Sequence, residues 1–333
     1  MSHGGSPLPR RPRFLTGLPV LRRGHDEIQL GLDPRHAVVI GGVTKTVAES
    51  VQKLDGRAQA RQLLERMPPD DRQTLASLLR QLHDLGLIHD AGRSGVPGRL
   101  AADATTWALR AGQRPGQLAS ARKDSSILVH GSGRLGIAVA TLLASSGLGA
   151  VEVSADGLVA PEDTGSGYRD EDVGRPRREV AQSILGNTRV SRPDLVLLTD
   201  SAVPAPELVS RMLTDSVPHL AVRVREGVGI VGPLVVPGRS SCLGCADLHR
   251  ADRDSDWPTV AAQLVGKAQL SSLTCAHATA ALAGEQALRA LAWLAGEHAQ
   301  PPTWNMTMEL DVFHGRLDQR SWPPHPHCSC GAH

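Results

Sequence analysis

Aromatic residues are scarce in this 333-residue chain: two Phe, one Tyr and five Trp. Leu, Val and Ala must therefore fill its cores. Charge of one sign is also missing, since the formal net charge is only +2, and so small an excess gives no general pull toward nucleic acid or a membrane surface. No apolar run approaches the ~20 residues of a membrane span, and the first residues lack the apolar stretch of a secretion signal. A soluble, cytoplasmic protein is expected. Cysteine is sparse and odd in number, at five. Without a secretion signal, an odd count argues against a disulfide framework.

The length allows two domains, each with its own core. The start, residues 1–13, combines Arg10, Arg11 and Arg13 with Pro7, Pro9 and Pro12, and reads as a disordered, solvated tail. Residues 14–90 read as a small α+β unit. Strands are expected at 27–30 and 36–40 around the Asp33-Pro34 turn, and three short helices come next. The third carries Leu75, Leu78, Leu79, Leu82 and Leu85 behind the capping residues Asp70 and Asp71. A short strand at Leu87-Ile88 completes a winged-helix-like module. A DNA-binding winged helix would need a phosphate-tracking basic stripe, and Asp70, Asp71 and Asp84 offset Arg72 and Arg80 on that helix. The module is a packing domain or a peptide-docking domain. In the docking case an extended peptide adds to a strand edge, with Leu79 and Arg80 expected at the pocket margin. Residues 91–125 read as a linker with bridging helices.

Ile127-Leu-Val-His-Gly-Ser-Gly-Arg-Leu-Gly136 organises the rest of the chain. An apolar strand runs into Gly131, Gly133 and Gly136, and Leu135, Val139, Leu142 and Leu143 then recur at helical spacing. A strand, a glycine turn and a helix present backbone N–H groups and a positive helix end to an anion. Strands and helices alternate from 126 to 224, which implies an α/β, Rossmann-like, mostly parallel sheet with helices on both faces. Gly227–Pro237 reads as a hairpin beside that sheet. A helix over 278–295 is expected to pack closely through Ala278, Ala281 and Ala292.

Cys242-Leu-Gly-Cys245 and Cys328-Ser-Cys330 are two close thiol pairs. Such pairs can close a tetrahedral structural zinc site, with His325 or His327 able to replace a thiolate. The other readings are four buried free thiols or a CxxC redox pair. Cys275 starts a helix near His277, so it reads as a buried core thiol or as a nucleophile.

The ordered set of Gly131–Gly136, Asp172-Val-Gly-Arg-Pro-Arg177, Leu198-Thr-Asp-Ser201 and the two cysteine pairs resembles the ThiF-like proteins of the ubiquitin-activating superfamily, over about residues 120–333. The N-terminal module resembles the peptide-recognition domain of enzymes that modify ribosomal peptides. The combination, with Trp322-Pro-Pro-His-Pro-His-Cys-Ser-Cys330, looks like the C-protein of thiazole/oxazole cyclodehydratases. The resemblance implies residues 126–333 as a ThiF-like domain with structural zinc, a leader or precursor peptide as ligand, a YcaO-type partner that uses the ATP, and a homodimer. The near-neutral charge and the lack of an apolar span lead to no nucleic acid and no membrane as expected partners.

Carried over residue by residue, the resemblance makes Asp200 the Mg²⁺-holding acid and Arg177 the counterpart of a family Lys. Gly131, Gly133, Arg134, Gly136 and Asp156 fall in the nucleotide cradle. The family's ribose-binding acid falls on Ser154 and its phosphate-binding Arg on Thr164. Loss of one cation from such a set costs ~10²–10³ in rate. The expectation is a degenerate site. The alternative is an active ATP-dependent adenylating enzyme of the ThiF type, acting on a peptide or carrier-protein C-terminus through Asp200 and Arg177. A more distant one is an NAD-dependent oxidoreductase, which leaves the cysteine pairs unexplained.

Overall fold

The computed structural model describes residues 8–92, 95–112, 114–296 and 299–332, and divides into two compact units, Met1–Ala121 and Arg122–His333. In the first unit β1 (Pro12–Phe14) pairs with β5 (Ile88–Asp90), aligning Phe14 with Ile88. Between them, β2 (Val20–Arg23), β3 (Glu27–Leu30) and β4 (Val38–Ile40) form an antiparallel sheet in that order. Three helices come after it: α1 (Lys45–Gln52), α2 (Ala60–Glu65) and α3 (Pro69–Asp84). Period-2 alternation buries Ile28 and Leu30 while Glu27 and Gln29 stay half-buried, and Leu75, Leu78, Leu79 and Leu82 line the inner face of α3. Thr44 caps α1 by accepting from the Val47 N–H at 3.3 Å.

Several expectations shift here. Residues 1–7 of the expected tail lie outside the described residues, whereas Pro12 and Arg13 belong to β1. The stretch expected as linker contains α4 (Ala101–Ala111) and α5 (Pro115–Lys123), and Trp107 and Leu118 are buried in the first unit's core. Leu79 is fully buried and cannot border a pocket, while Leu85, assigned to the core from its spacing, is 45% exposed. A helix turn carries residue 85 round to the rim, where α3 has already ended.

The second unit carries a seven-stranded sheet ordered β12-β11-β10-β9-β8-β6-β7. Its strands are β6 (Ser126–His130), β7 (Ala150–Ser154), β8 (Leu195–Leu198), β9 (His219–Arg225), β10 (Val228–Val235), β11 (Met306–Asp311) and β12 (Arg316–Ser321). β7, β6, β8 and β9 are parallel, and the remaining three add antiparallel. The helices are α6 (Arg134–Ser145), α7 (Arg177–Leu185), α8 (Pro206–Thr214), α9 (Leu243–Ala251), α10 (Trp257–Leu264) and α11 (Leu273–Leu294). Gly227–Pro237 is not a hairpin of its own: Glu226-Gly227 is the turn and β10 is one long strand between β9 and β11. β8 is buried at all four positions, as a strand covered on both faces must be.

One core joins the sheet to α6 and α11, and another joins its opposite face to α8 and α9. The close-packed face of α11 bears Ala276, Ala280, Ala283, Ala287 and Ala290, one step round from the Ala278, Ala281 and Ala292 face expected. Its Gly284 lets α6 approach, since a Cβ there would lie 2.6 Å from Leu142 Cδ2. Among the described residues, no helix is long and apolar enough to cross a membrane.

Candidate functional site

Two of the three turn glycines are required by the fold itself. Gly131 stands at φ +118°, and a Cβ there would meet the Asp200 nitrogen at 2.5 Å and Thr199 Oγ1 at 2.7 Å. A Cβ on Gly136 would run into the Gly131 carbonyl. Thr199 Oγ1 donates to the carbonyls of His130 (3.1 Å) and Gly131 (3.3 Å), locking the turn to the end of β8. Gly133 is different: it caps α6 at φ −70°, and the nearest atom to a Cβ there is Asp163 Oδ1, at 3.5 Å.

Asp163 was not singled out in the sequence. It ends a 3-10 turn at Pro161–Asp163 and is 5% exposed. Its Oδ2 accepts from the Ala160 N–H (2.9 Å), from Arg177 Nε (3.1 Å) and from Arg177 Nη2 (2.5 Å). The Arg177 guanidinium is thus bound by a buried carboxylate that stands beside the open position of the glycine turn. Sequence distance hides this pair, because its fourteen-residue separation matches no helix or strand period.

The other cradle residues are spread out. Arg134 donates to the backbone carbonyls of Thr164 (3.1 Å) and Ser271 (2.7 Å). Asp156 has a side chain 91% exposed and pairs with Arg178 at 3.4 Å. Ser154 ends β7, and its carbonyl accepts from Gly131 at 3.4 Å. Asp200 comes just after β8 with Oδ2 3.6 Å from His130 Nε2, while its Oδ1 is buried with no hydrogen-bond partner among the described residues. Gln269 was also missed: it bridges the Thr199 carbonyl (3.1 Å) and the Val224 N–H (2.6 Å). That amide holds the 265–272 segment near the β8 end, with bridges at Ser201↔Ala268 and Val203↔Val265.

The cysteine pairs do meet. Cys242 caps α9, Cys245 lies in its first turn, and the C-terminal segment brings Cys328 and Cys330 to them. Cys242 and Cys328 sulfurs stand 3.5 Å apart, Cys245 and Cys330 3.5 Å, and Cys242 and Cys245 3.9 Å. Four sulfurs ~2.3 Å from one ion in a tetrahedron stand about 3.8 Å apart, so the spacing fits a single tetrahedral ion. Burial pushes the Cys242 thiol up, and the Cys328 thiol up to about 11. Burial acts the same way on Cys330, but hydrogen bonds from the Ala332 N–H and neighbouring thiols outweigh it and bring the group below its ordinary value. His325 is not in the sulfur cluster and bonds Asp252 instead, at 2.9 Å.

Cys275 is 1% exposed, its thiol points to the Gly227 carbonyl at 3.1 Å, and burial raises its pKa. His277 Nδ1 turns to the Leu273 carbonyl. This arrangement activates no thiolate.

No family model and no curated protein matches the chain. Solved structures do. The microcin C7 biosynthetic enzyme MccB in complex with N-formylated MccA superposes at a TM-score of 0.69, with 14% identity over 96% of this chain and 99% of that one. The chain has the MccB fold. E. coli MccB with ATP gives a TM-score of 0.67 at 15% identity, over 96% of this chain and 99% of that one. A heterocyclase in complex with substrate and cofactor gives 0.66 at 14%, covering 97% of this chain and 40% of that larger one. The MccB fold is ThiF-like, which agrees with the order of motifs in the sequence. Identity this low carries over the fold, and the chemistry has to be argued from the residues.

Proposed function

We propose that this protein is a ThiF-like peptide-binding protein of ribosomal-peptide modification. It presents a leader peptide to a partner, ATP-using enzyme of the YcaO type, and its own glycine-turn site does not adenylate. The observation that carries this reading is the Asp163–Arg177 pair beside Gly133. Adenylation needs cations around the α-phosphate and the leaving pyrophosphate. Here the matching guanidinium is neutralised by a carboxylate, Arg134 is engaged by backbone carbonyls, and the ribose acid and phosphate Arg positions are Ser154 and Thr164. With the pair neutral overall, Arg177 offers polyphosphate no net positive charge at the turn. Neighbouring structures containing MccA, or a substrate together with a cofactor, support a peptide as ligand.

In the first unit, β4 pairs only with β3 among the described residues and leaves its other edge open, with Val39 44% exposed. That edge offers main-chain hydrogen bonds to an extended peptide, and Arg80 on α3 and Leu85 at its C-cap are exposed side chains of the same unit. The four-cysteine cluster is read as structural zinc, closed by four ligands, and a homodimer is the expected assembly. One observation favours the active-enzyme alternative: Asp200 Oδ1 is buried with no partner among the described residues, as a Mg²⁺-holding carboxylate would be before its ion arrives.

Calorimetry of the full-length chain with ATP and Mg²⁺, together with pyrophosphate exchange, separates the two. Binding weaker than millimolar and no exchange is the expected result. Micromolar ATP binding with exchange abolished by Asp200→Ala would replace this proposal with the adenylating enzyme. Amide shifts on adding leader-like peptides should cluster on β4 and α3, and salt-sensitive binding of duplex DNA in their place would refute peptide docking.

A further inference from the structure

We propose that His249, Asp252 and His325 form a second metal site, distinct from the four cysteines, that takes a zinc-class divalent ion. One donor atom from each residue lies within 4.8 Å of the other two. The residues come from two segments: His249 from the last turn of α9, Asp252 from its C-cap, and His325 from the C-terminal stretch. The same two segments are joined by the cysteine cluster at the other end of α9, so the three donors face each other without a long loop having to close. Two imidazoles and a carboxylate suit zinc and its neighbours. The C-terminal end of a helix, with its unpaired carbonyls, also favours positive charge.

The hydrogen bonds set the rings. His249 Nε2 lies 3.0 Å from the Pro323 carbonyl, which can only accept, so Nε2 carries a proton and the neutral ring has its lone pair on Nδ1. A metal-binding histidine commonly has its other N–H held by a carbonyl in this way. The His325 ring stands at 79° to that of His249 with centroids 4.7 Å apart, and is 6% exposed. Its Nε2 meets Asp252 Oδ2 at 2.9 Å, and its Nδ1 accepts a longer bond from the His327 N–H at 3.2 Å.

An ion on Nε2 displaces that proton, and the ring takes its other tautomer, giving up the His327 bond. Ligand bonds of ~2.0–2.1 Å set tetrahedral donors about 3.3–3.4 Å apart, so Asp252, now 2.9 Å from Nε2, must move outward to share the ion. It has the freedom to do so, because its side chain is 63% exposed. Without an ion the group is a carboxylate–histidine hydrogen bond with a second ring against it. That arrangement uses Asp252 and His325 and leaves His249 as a tie to the Pro323 carbonyl, with no use for its Nδ1 lone pair. Three protein donors leave a fourth position open to water or a small ligand, unlike the closed cysteine site.

The test uses the full-length chain, equilibrated with micromolar free zinc, passed through a desalting column and analysed for metal. His325 is buried and its replacement can unfold the tail, so His249→Gln and Asp252→Asn are the informative variants. Wild type should hold one more ion per chain than His249→Gln, whether or not the cysteines are loaded. Asp252→Asn should weaken that ion by at least the ~10–100-fold that loss of an outer-shell partner causes. Cobalt(II) in the added site should show ligand-field absorption without thiolate charge transfer. Equal metal content in wild type and His249→Gln would overturn the proposal, and so would thiolate charge transfer accompanying the ion that His249→Gln loses.

Discussion

Asp163→Asn is the most direct probe of why the glycine turn should reject nucleotide. The amide keeps the volume of the side chain and an oxygen to accept from Ala160, while the negative charge beside Gly133 disappears and Arg177 loses its ionic partner. Two unit charges ~5 Å apart in a medium of effective dielectric ~20 interact by about 3 kcal/mol, equivalent to ~10²-fold in affinity. Freed Arg177 adds in the same direction. Binding of pyrophosphate or MgATP should therefore tighten by on the order of 10²-fold in the variant, read by isothermal calorimetry at fixed low ionic strength. Stability should fall, because breaking a mostly buried pair leaves one charge uncompensated, typically at about 3–5 kcal/mol. The Arg177 side chain is 25% exposed, which screens the pair and places the loss toward or below the low end. A variant that stays folded by thermal melt and binds anions no better than wild type would refute the reasoning, and Arg177 would then be a purely structural tie.

Cys328→Ser should reduce the zinc retained by the cysteine cluster by more than the ~10–100-fold caused by losing an outer-shell partner, and should lower the melting temperature, as elemental analysis and calorimetry would record. Burial holds His219 below its ordinary pKa, so the unfolded chain takes up a proton near pH 6.5 before the folded chain does. The stability this gives is complete above that pH and is lost as pH falls below it. Melting temperatures between pH 7.5 and 5.5 should fall more steeply in wild type than in His219→Phe. Gly136→Ala should cost about 1–3 kcal/mol or more through overpacking, while Gly133→Ala should cost about 1 kcal/mol or less, the loss expected at an N-cap, measured by denaturant titration.

The strand-and-helix alternation from 126 to 224 was legible because each element is set by local period: β6 and α6 lie where Ile127–Val129 and Leu135–Leu143 place them. The cysteine meeting was legible from ligand spacing alone. Asp163 was not, because its importance comes from a loop that folds back onto Arg177, and nothing in Pro161-Glu-Asp163 announces a partner fourteen residues on. The Leu79 and Leu85 error has a related origin. Period counts place both on one stripe, but only the neighbouring elements decide where the stripe meets solvent. β1 was hidden by prolines and arginines, since Pro12 is tolerated at the first position of a strand. Gly227–Pro237 reads as a hairpin because it is short and β-rich, whereas it forms one long strand, β10. Gly229 is there because Thr279 crosses too close for any Cβ.

The division of labour among the turn glycines bears on what a nucleotide signature can mean. Gly131 and Gly136 are held by the Asp200 backbone and by a carbonyl of their own turn, so any chain keeping this sheet and helix must keep them whether or not it has a ligand. A protein could abandon phosphate altogether and still display most of the fingerprint. The informative part is what stands over Gly133. In this chain that is the Asp163 carboxylate, 3.5 Å from where a Cβ on Gly133 would lie.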